Sequence, residues 1–111
     1  MDKGTLMKEY LSGKLHNITV TEANVNYTGS IGIDEDLMEK VGLEENQKVL
    51  VASTTSGARL ETYVIKDTRG TQNITMNGAA AHLIKAGEKV IIMGFEFADR
   101  SPEPKVLIFK D

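Results

Sequence analysis

The sequence predicts a mainly β protein, a small barrel of six or seven short strands with two or three short helices. Three observations support this prediction: apolar residues recur with the two-residue period of half-buried strands, Gly-containing turns separate these runs, and no helical pattern is long enough to cover a parallel sheet. A chain of 111 residues, 41% of them hydrophobic, has the size and composition of one domain, 1–111.

The first strand is predicted over 14–21. Alternation there places His16, Ile18 and Val20 on one face of a half-buried strand. Residues 1–9 carry little pattern, and we expect the segment 1–6 to fray.

A short helix and a β-hairpin follow. Asp34, followed by two acidic residues, predicts the start of a helix over 35–41, and Gly42 is a natural stop. Two β-rich runs, 48–53 and 59–65, are joined by a loop containing glycine and are predicted to pair as a hairpin.

The other elements are shorter or come later in the chain. They are predicted from turn residues such as Asn77-Gly78 and from apolar runs. The remaining predictions are a polar stretch over 22–28, strands over 29–33 and 73–76, a small helix over 79–85, and strands over 89–97 and 105–109.

Composition excludes several classes of function. The chain has no Cys, which excludes disulfides, thiolate metal sites and a cysteine nucleophile, and its two His residues are far apart, so no metal site is expected. The net charge is -3 and no Lys/Arg run is present, so nucleic acid is not an expected partner. No apolar run approaches the ~20 residues of a membrane helix, so we predict a soluble, cytoplasmic protein without a membrane partner.

Neither a Ser-His-Asp arrangement nor a Gly-rich phosphate loop is present. Four local strings nevertheless resemble the aspartate 1-decarboxylase family, in that family's order, within a similarity that extends from about residue 14 to residue 109. The strings are Lys14-Leu15-His16, Tyr27-Thr28-Gly29-Ser30, Arg59-Leu60-Glu61-Thr62-Tyr63 and Asn77-Gly78-Ala79-Ala80-Ala81-His82.

The resemblance implies a double-psi β-barrel and an enzyme that decarboxylates L-aspartate to β-alanine and CO2 for pantothenate and coenzyme A biosynthesis. It also implies a homotetramer with active sites between subunits. A maturation partner is compatible with it, because unaided self-cleavage can be slow.

In this family the cofactor is a pyruvoyl group made from the chain itself, without a metal. Carried over, the Ser30 hydroxyl attacks the Gly29 carbonyl, and the resulting ester is cleaved by β-elimination. Loss of ammonia then leaves a pyruvoyl group at position 30. The products are a β chain, 1–29, and an α chain, 30–111. Thr62 is implied to stabilise the oxyanion of this step, and the ketone serves as the electron sink that decarboxylation needs.

The resemblance also assigns the turnover residues. Tyr63 is the implied proton donor, and Arg59 and Lys14 are the implied cationic receptors for the two substrate carboxylates. His16 and Tyr27 are implied to lie near the site. The implied substrate-binding set is completed by Thr62 and by the turn and helix start Asn77, Gly78, Ala79 and Ala80, through free backbone N–H groups.

Each of these residues also has a purely structural interpretation. Gly29 can be a turn residue, Arg59 and Glu61 an exposed charge pair on the same strand face as Tyr63, and His16 a hydrogen-bonded strand residue. Departures from the family's pattern around Ala52, Leu60 and Glu61 raise an alternative function. In that alternative the chain is a non-processing double-psi barrel that binds a ligand or regulates a partner.

Overall fold

The computed structural model describes residues 6–110, and these form eight strands and two helices. The elements are β1 (Lys8–Thr19), β2 (Glu22–Asn24), β3 (Ser30–Asp34), α1 (Glu35–Val41), β4 (Lys48–Ser53), β5 (Arg59–Asp67), β6 (Ile74–Asn77), α2 (Ala80–Leu83), β7 (Lys89–Ala98) and β8 (Lys105–Ile108). The mainly β prediction is confirmed.

The strands form one mixed sheet in the order β2-β6-β3-β5-β4-β7-β1-β8. The chain after β1 returns to the other end of this sheet, where the Thr21 backbone N–H donates to the Ile74 carbonyl at 2.8 Å. The sheet therefore curls around one core of aliphatic side chains, such as Leu15, Ile31 and Ile92, each 0% exposed.

The strand count of six or seven was too low, because the predicted polar stretch 22–28 contains β2. This strand pairs in parallel with β6, with Glu22 opposite Thr75. Its three residues show no apolar alternation, and it is the backbone of β6, far away in sequence, that makes them a strand.

The prediction for the N-terminal region was also partly wrong. Residues 8–9 belong to β1, since Lys8 pairs with Ala98 at the far end of β7; residues 1–5 lie outside the described residues. The predicted alternation fails because a β-bulge between His16 and Ile18, with Asn17 at a φ of 68°, places both Leu15 and Ile18 in the core.

The predicted helix 35–41 is confirmed as α1, and the cause is its cap. The Asp34 carboxylate is 1% exposed and accepts the backbone N–H of Asp36 at 2.8 Å, of Gly70 at 3.1 Å and of Gln72 at 2.8 Å. Burial alone would raise the pKa of Asp34, but these N–H donors outweigh it and hold the pKa below its usual range. The helix ends at Gly42, in the left-handed conformation.

The other predicted elements are present with shifted ends. The hairpin of β4 and β5 is confirmed, with Ala52 opposite Arg59. The second helix is shorter than predicted, because Ile84 takes an extended conformation with a φ of -126°. In the described part of the chain, no helix has both the length and the apolar character needed to cross a membrane.

Candidate functional site

The Gly29–Ser30 peptide lies at the start of β3, between two strands that carry other candidate residues. On one side β3 pairs antiparallel with β6, with Ser30 opposite Asn77. On the other side it runs parallel to β5, with Ile31 opposite Val64. The parallel register places the 29–30 peptide beside the preceding residues of β5, which are the candidate residues Thr62 and Tyr63.

The Ser30 hydroxyl is buried and held by its neighbour on β6. Ser30 is 2% exposed and Asn77 is 3% exposed. The Asn77 side-chain amide donates to Ser30 Oγ at 3.0 Å, while Oγ has a longer contact of 3.4 Å with the Thr28 carbonyl. Because Asn77 supplies the shorter of these two contacts, it sets the position of Oγ.

A cavity of about 330 Å³ opens beside this peptide. Its lining brings together six of the residues that the sequence singled out, from β5, β6, α2 and the residues just before β3 and α2: Gly29, Thr62, Tyr63, Asn77, Ala79 and Ala80. The volume is in the range of small-molecule sites. One surface recess therefore joins the candidate cleavage point to candidate substrate-binding residues.

The cavity wall also contains three residues that the site prediction did not include: Leu60, Glu61 and Leu83. Leu60 and Glu61 were noted as departures from the family's pattern and Glu61 also as the partner of an exposed charge pair, although both directly precede Thr62 in the chain. Leu83 follows Ala80 by three residues, and this helical spacing could have placed both on the same wall.

Gly78 is buried directly against the candidate cleavage point. Its φ is 67°, and a Cβ at this position would lie 2.6 Å from Gly29 Cα, 2.8 Å from Gly29 N and 2.9 Å from the Tyr27 carbonyl oxygen. Gly29 itself is not in the left-handed region, and a Cβ there would meet only the Asn77 carbonyl oxygen, at 3.9 Å. Close packing therefore requires glycine at position 78, whereas a Cβ at position 29 would make only an ordinary contact.

The backbone N–H of Gly78 is already used. It donates to the Asn24 carbonyl at 2.8 Å, which ties the turn after β6 to the end of β2. This donor is therefore engaged within the chain, and Ala79 and Ala80, which line the cavity, are the remaining candidates for backbone contacts to a substrate.

The candidate cationic residues do not line this cavity. Lys14 is on β1, which is separated from β3 by three strands in the sheet order. Arg59 is exposed at the first position of β5, opposite Ala52. Tyr27, 58% exposed, lines a neighbouring recess that also includes Asn77.

Neither histidine lines this cavity. His16 is half-buried on β1, and its Nδ1 is buried with no hydrogen-bond partner among residues 6–110, so the structural hydrogen bond that we considered for it is not formed by this atom. His82 is exposed on α2, and within the described chain its side chain makes no hydrogen bond.

The charge nearest to the cavity is negative. Glu61 lines it, and the only ion pair of this carboxylate within the described residues is with Lys48 at 3.9 Å, where both side chains are well exposed. Solvent screens such a pair strongly. The lining of the cavity contains no Lys or Arg, so an anionic substrate needs a cation from elsewhere. Among residues 6–110, no three His, Asp or Glu side chains lie close enough together to hold a metal ion.

Comparisons with known proteins cover nearly the whole chain. The family model for aspartate decarboxylase matches residues 6–111. The aspartate 1-decarboxylase of Bacillus subtilis (strain 168) is 49% identical over 110 residues, covering 96% of this chain and 87% of the relative. That of Bacillus velezensis is 47% identical over the same shares of both chains.

A solved structure bears on the fold. The crystal structure of the rationally designed protein mkDPBB_sym_86 superposes with a TM-score of 0.55 at 22% identity, covering 78% of this chain and 95% of that chain. The design's name abbreviates double-psi β-barrel, and the predicted double-psi β-barrel is confirmed. The match of the family model and of these relatives over nearly the whole sequence shows that the chain belongs to the aspartate decarboxylase family.

Proposed function

We propose that this chain is a pyruvoyl-dependent decarboxylase that converts L-aspartate to β-alanine and CO2 for pantothenate biosynthesis. The observation that carries the proposal is the cavity beside β3, whose wall holds Gly29 together with Thr62, Tyr63 and Asn77. Relatives that are nearly half identical to the chain are aspartate 1-decarboxylases, which supports the same reaction class.

The reactive group is proposed to come from Ser30 by self-cleavage of the 29–30 peptide. In the first step Ser30 Oγ bonds to the Gly29 carbonyl carbon, the C–N bond breaks, and the hydroxyl proton ends on the freed amine. Loss of the Ser30 Cα proton then expels the Gly29 carboxylate and leaves dehydroalanine, which water converts to a pyruvoyl group and ammonia. Thr62, on the same cavity wall as Gly29, is proposed to donate to the oxyanion of the first step.

The residues around position 30 fit a pyruvoyl group. Oγ would leave with the Gly29 carboxylate, and the buried amide of Asn77 that donates to it now would become available to a carbonyl oxygen at position 30. The group would supply an electron-withdrawing ketone next to the substrate's α-carbon. The chain's own part is to keep that end of the strand buried and oriented, and Ser30 at 2% exposure meets this requirement.

The remaining roles follow from charge and position. Tyr63 is proposed to hold the phenolic proton that the α-carbon receives. Arg59 lies four residues away on the same strand, roughly 13 Å along it, which is longer than an aspartate molecule. Arg59 must therefore reach back along β5 for both residues to contact one substrate.

We also propose a homotetramer in which Lys14 of one subunit completes the cavity of the next. The position of Lys14 on β1, away from the cavity of its own chain, supports this assembly. A site without a nearby cation would bind a dianionic substrate poorly. Lys14 of the neighbouring subunit would supply that cation.

The first test is the intact mass of the denatured protein, with Ser30→Ala as the control. We expect two fragments, with the 30–111 piece one ammonia lighter than simple hydrolysis would leave it, and an uncut Ser30→Ala chain. Release of CO2 and formation of β-alanine from aspartate are then measured on the cleaved protein. Cleaved protein that releases no CO2 from aspartate would contradict the proposed reaction.

The same mass measurement tests the alternative of a non-processing ligand-binding or regulatory barrel, which the comparisons do not favour. A wild-type chain that stays uncut after prolonged warm incubation, and also when it is produced together with candidate maturation proteins, would support that alternative. Cleavage only in their presence would instead identify a maturation partner.

The shared site is tested by complementation. Lys14→Ala and Ser30→Ala chains are co-expressed, and the mixed oligomer is assayed. If sites lie between subunits, about a quarter of them combine an intact position 30 with an intact Lys14, and activity returns. Activity no higher than the sum of the two parents would place both residues in one chain's site.

A further inference from the structure

Gly78 contacts the loop before β3 at the point of cleavage. The hydrogen atoms on its α-carbon leave just enough room for the Gly29 backbone, since a Cβ would lie 2.6 Å from Gly29 Cα. Real Cβ contacts are found at about 3.5–4.0 Å. A side chain at position 78 would therefore displace Gly29 by roughly 1 Å.

The displacement would move the Gly29 carbonyl and leave the Ser30 hydroxyl in place. Ser30 and Asn77 are buried partners in paired strands, so Oγ is held in place from β6. Tyr27, Thr28 and Gly29 are exposed, so their loop has solvent on its outer side. Pushing Gly29 away from Gly78 would thus change the approach of Oγ to the Gly29 carbonyl carbon.

We propose that Gly78 is a positioning residue for self-cleavage. Because it has no side chain, the Gly29 carbonyl can lie opposite Ser30 Oγ. This inference rests on the proposed function. It differs from the substrate-binding role expected for Gly78, whose N–H is occupied by Asn24. A misplacement of about 1 Å between reacting atoms typically slows a reaction about 100-fold.

The test compares Gly78→Ala with Gly87→Ala. Both glycines have a positive φ, 67° and 93°, so alanine is strained at either position. Only Gly78 has neighbours in the way, because a Cβ at Gly87 meets no atom within 4 Å. Full-length chains are purified, and the cleaved fraction is followed by intact mass over time while unfolding is followed by circular dichroism.

We expect Gly87→Ala to cleave at about the wild-type rate and Gly78→Ala to cleave about 10- to 100-fold more slowly, with similar Tm values for the two variants. Equal cleavage rates would overturn the proposal. So would a Gly78→Ala chain that does not fold, because the clash would then be relieved through the core and not by the exposed loop. A wild type that stays uncleaved, also when it is produced together with candidate maturation proteins, would instead contradict the proposed function itself.

Hydroxylamine separates an effect on ester formation from an effect on the later elimination step. It attacks the ester that the first step forms. The products are fragment 1–29 with a C-terminal hydroxamate and fragment 30–111 with a free N-terminal serine. We expect little of this product from Gly78→Ala and the wild-type amount from Gly87→Ala. Equal trapping from the two variants would show that ester formation does not depend on Gly78, and would overturn the proposal.

Discussion

Replacing Asp34 with Asn tests the cap that joins α1 to the loop before β6. Asp34 Oδ1 accepts from Asp36 and Gly70, and Oδ2 accepts from Gln72 at 2.8 Å. Asparagine keeps one of the two acceptor oxygens, and its NH2 group replaces the other, so that at least one of these backbone N–H groups faces a donor instead of an acceptor. One hydrogen bond to a charged group is lost, for a destabilisation of about 2 kcal/mol, which lowers the Tm of a domain of this size by about 8–16 °C.

The stability lost in the Asp34→Asn variant should depend on pH. Because the pKa of Asp34 is lower in the folded chain than its ordinary value of 3.8, the ionised carboxylate favours the folded state. That contribution is complete above the unfolded pKa and disappears as the pH falls through the folded one. The Tm gap between wild type and Asp34→Asn should therefore be largest at neutral pH and should narrow below about pH 4.

Thermal unfolding at fixed protein concentration, measured from neutral pH to about pH 3, provides the assay. Asp99→Asn is the matched control, because Asp99 is exposed and forms no side-chain hydrogen bond or ion pair within the described chain. Two results would refute the reasoning. One is an equal loss of Tm in the Asp34→Asn and Asp99→Asn variants. The other is a Tm difference between wild type and Asp34→Asn that stays constant with pH.

Three further substitutions address the site. Asn77→Ala removes the amide that holds Ser30 Oγ and should slow self-cleavage about tenfold by intact mass; an unchanged rate would show that Oγ needs no such holder. Glu61→Gln removes the carboxylate of the cavity wall and should lower the KM for aspartate about 2- to 5-fold, with a smaller gain in about 0.5 M NaCl; a salt-independent KM would argue against an electrostatic cause. His16→Phe removes a buried, unpaired nitrogen and should leave the Tm unchanged or raise it, whereas a clear drop in Tm would mean that His16 has a stabilising partner outside residues 6–110.

The sequence predicted the elements that local chemistry controls. Asp34 and Gly42 bound α1 through contacts within a few residues, and the loop around Gly57 directs β4 and β5 into a hairpin. The strings shared with the family identified Gly29–Ser30 and the residues of β5 and β6 that line the cavity.

Other features depend on segments that are far apart in the chain. β2 exists because β6 pairs with it, and the bulge at Asn17 reverses which side chains of β1 enter the core. The distance from Lys14 to the cavity likewise follows from the strand order.

The Asn77–Ser30 hydrogen bond and the contact of Gly78 with Gly29 also join residues that are nearly fifty positions apart. By itself the sequence determined the short helix, the hairpin and the identity of the reactive dipeptide, because caps, turns and motifs act over a few residues. Only the tertiary structure decided the extra strand, the register and the steric limit at Gly78, because pairing and close approach require both segments to be in place.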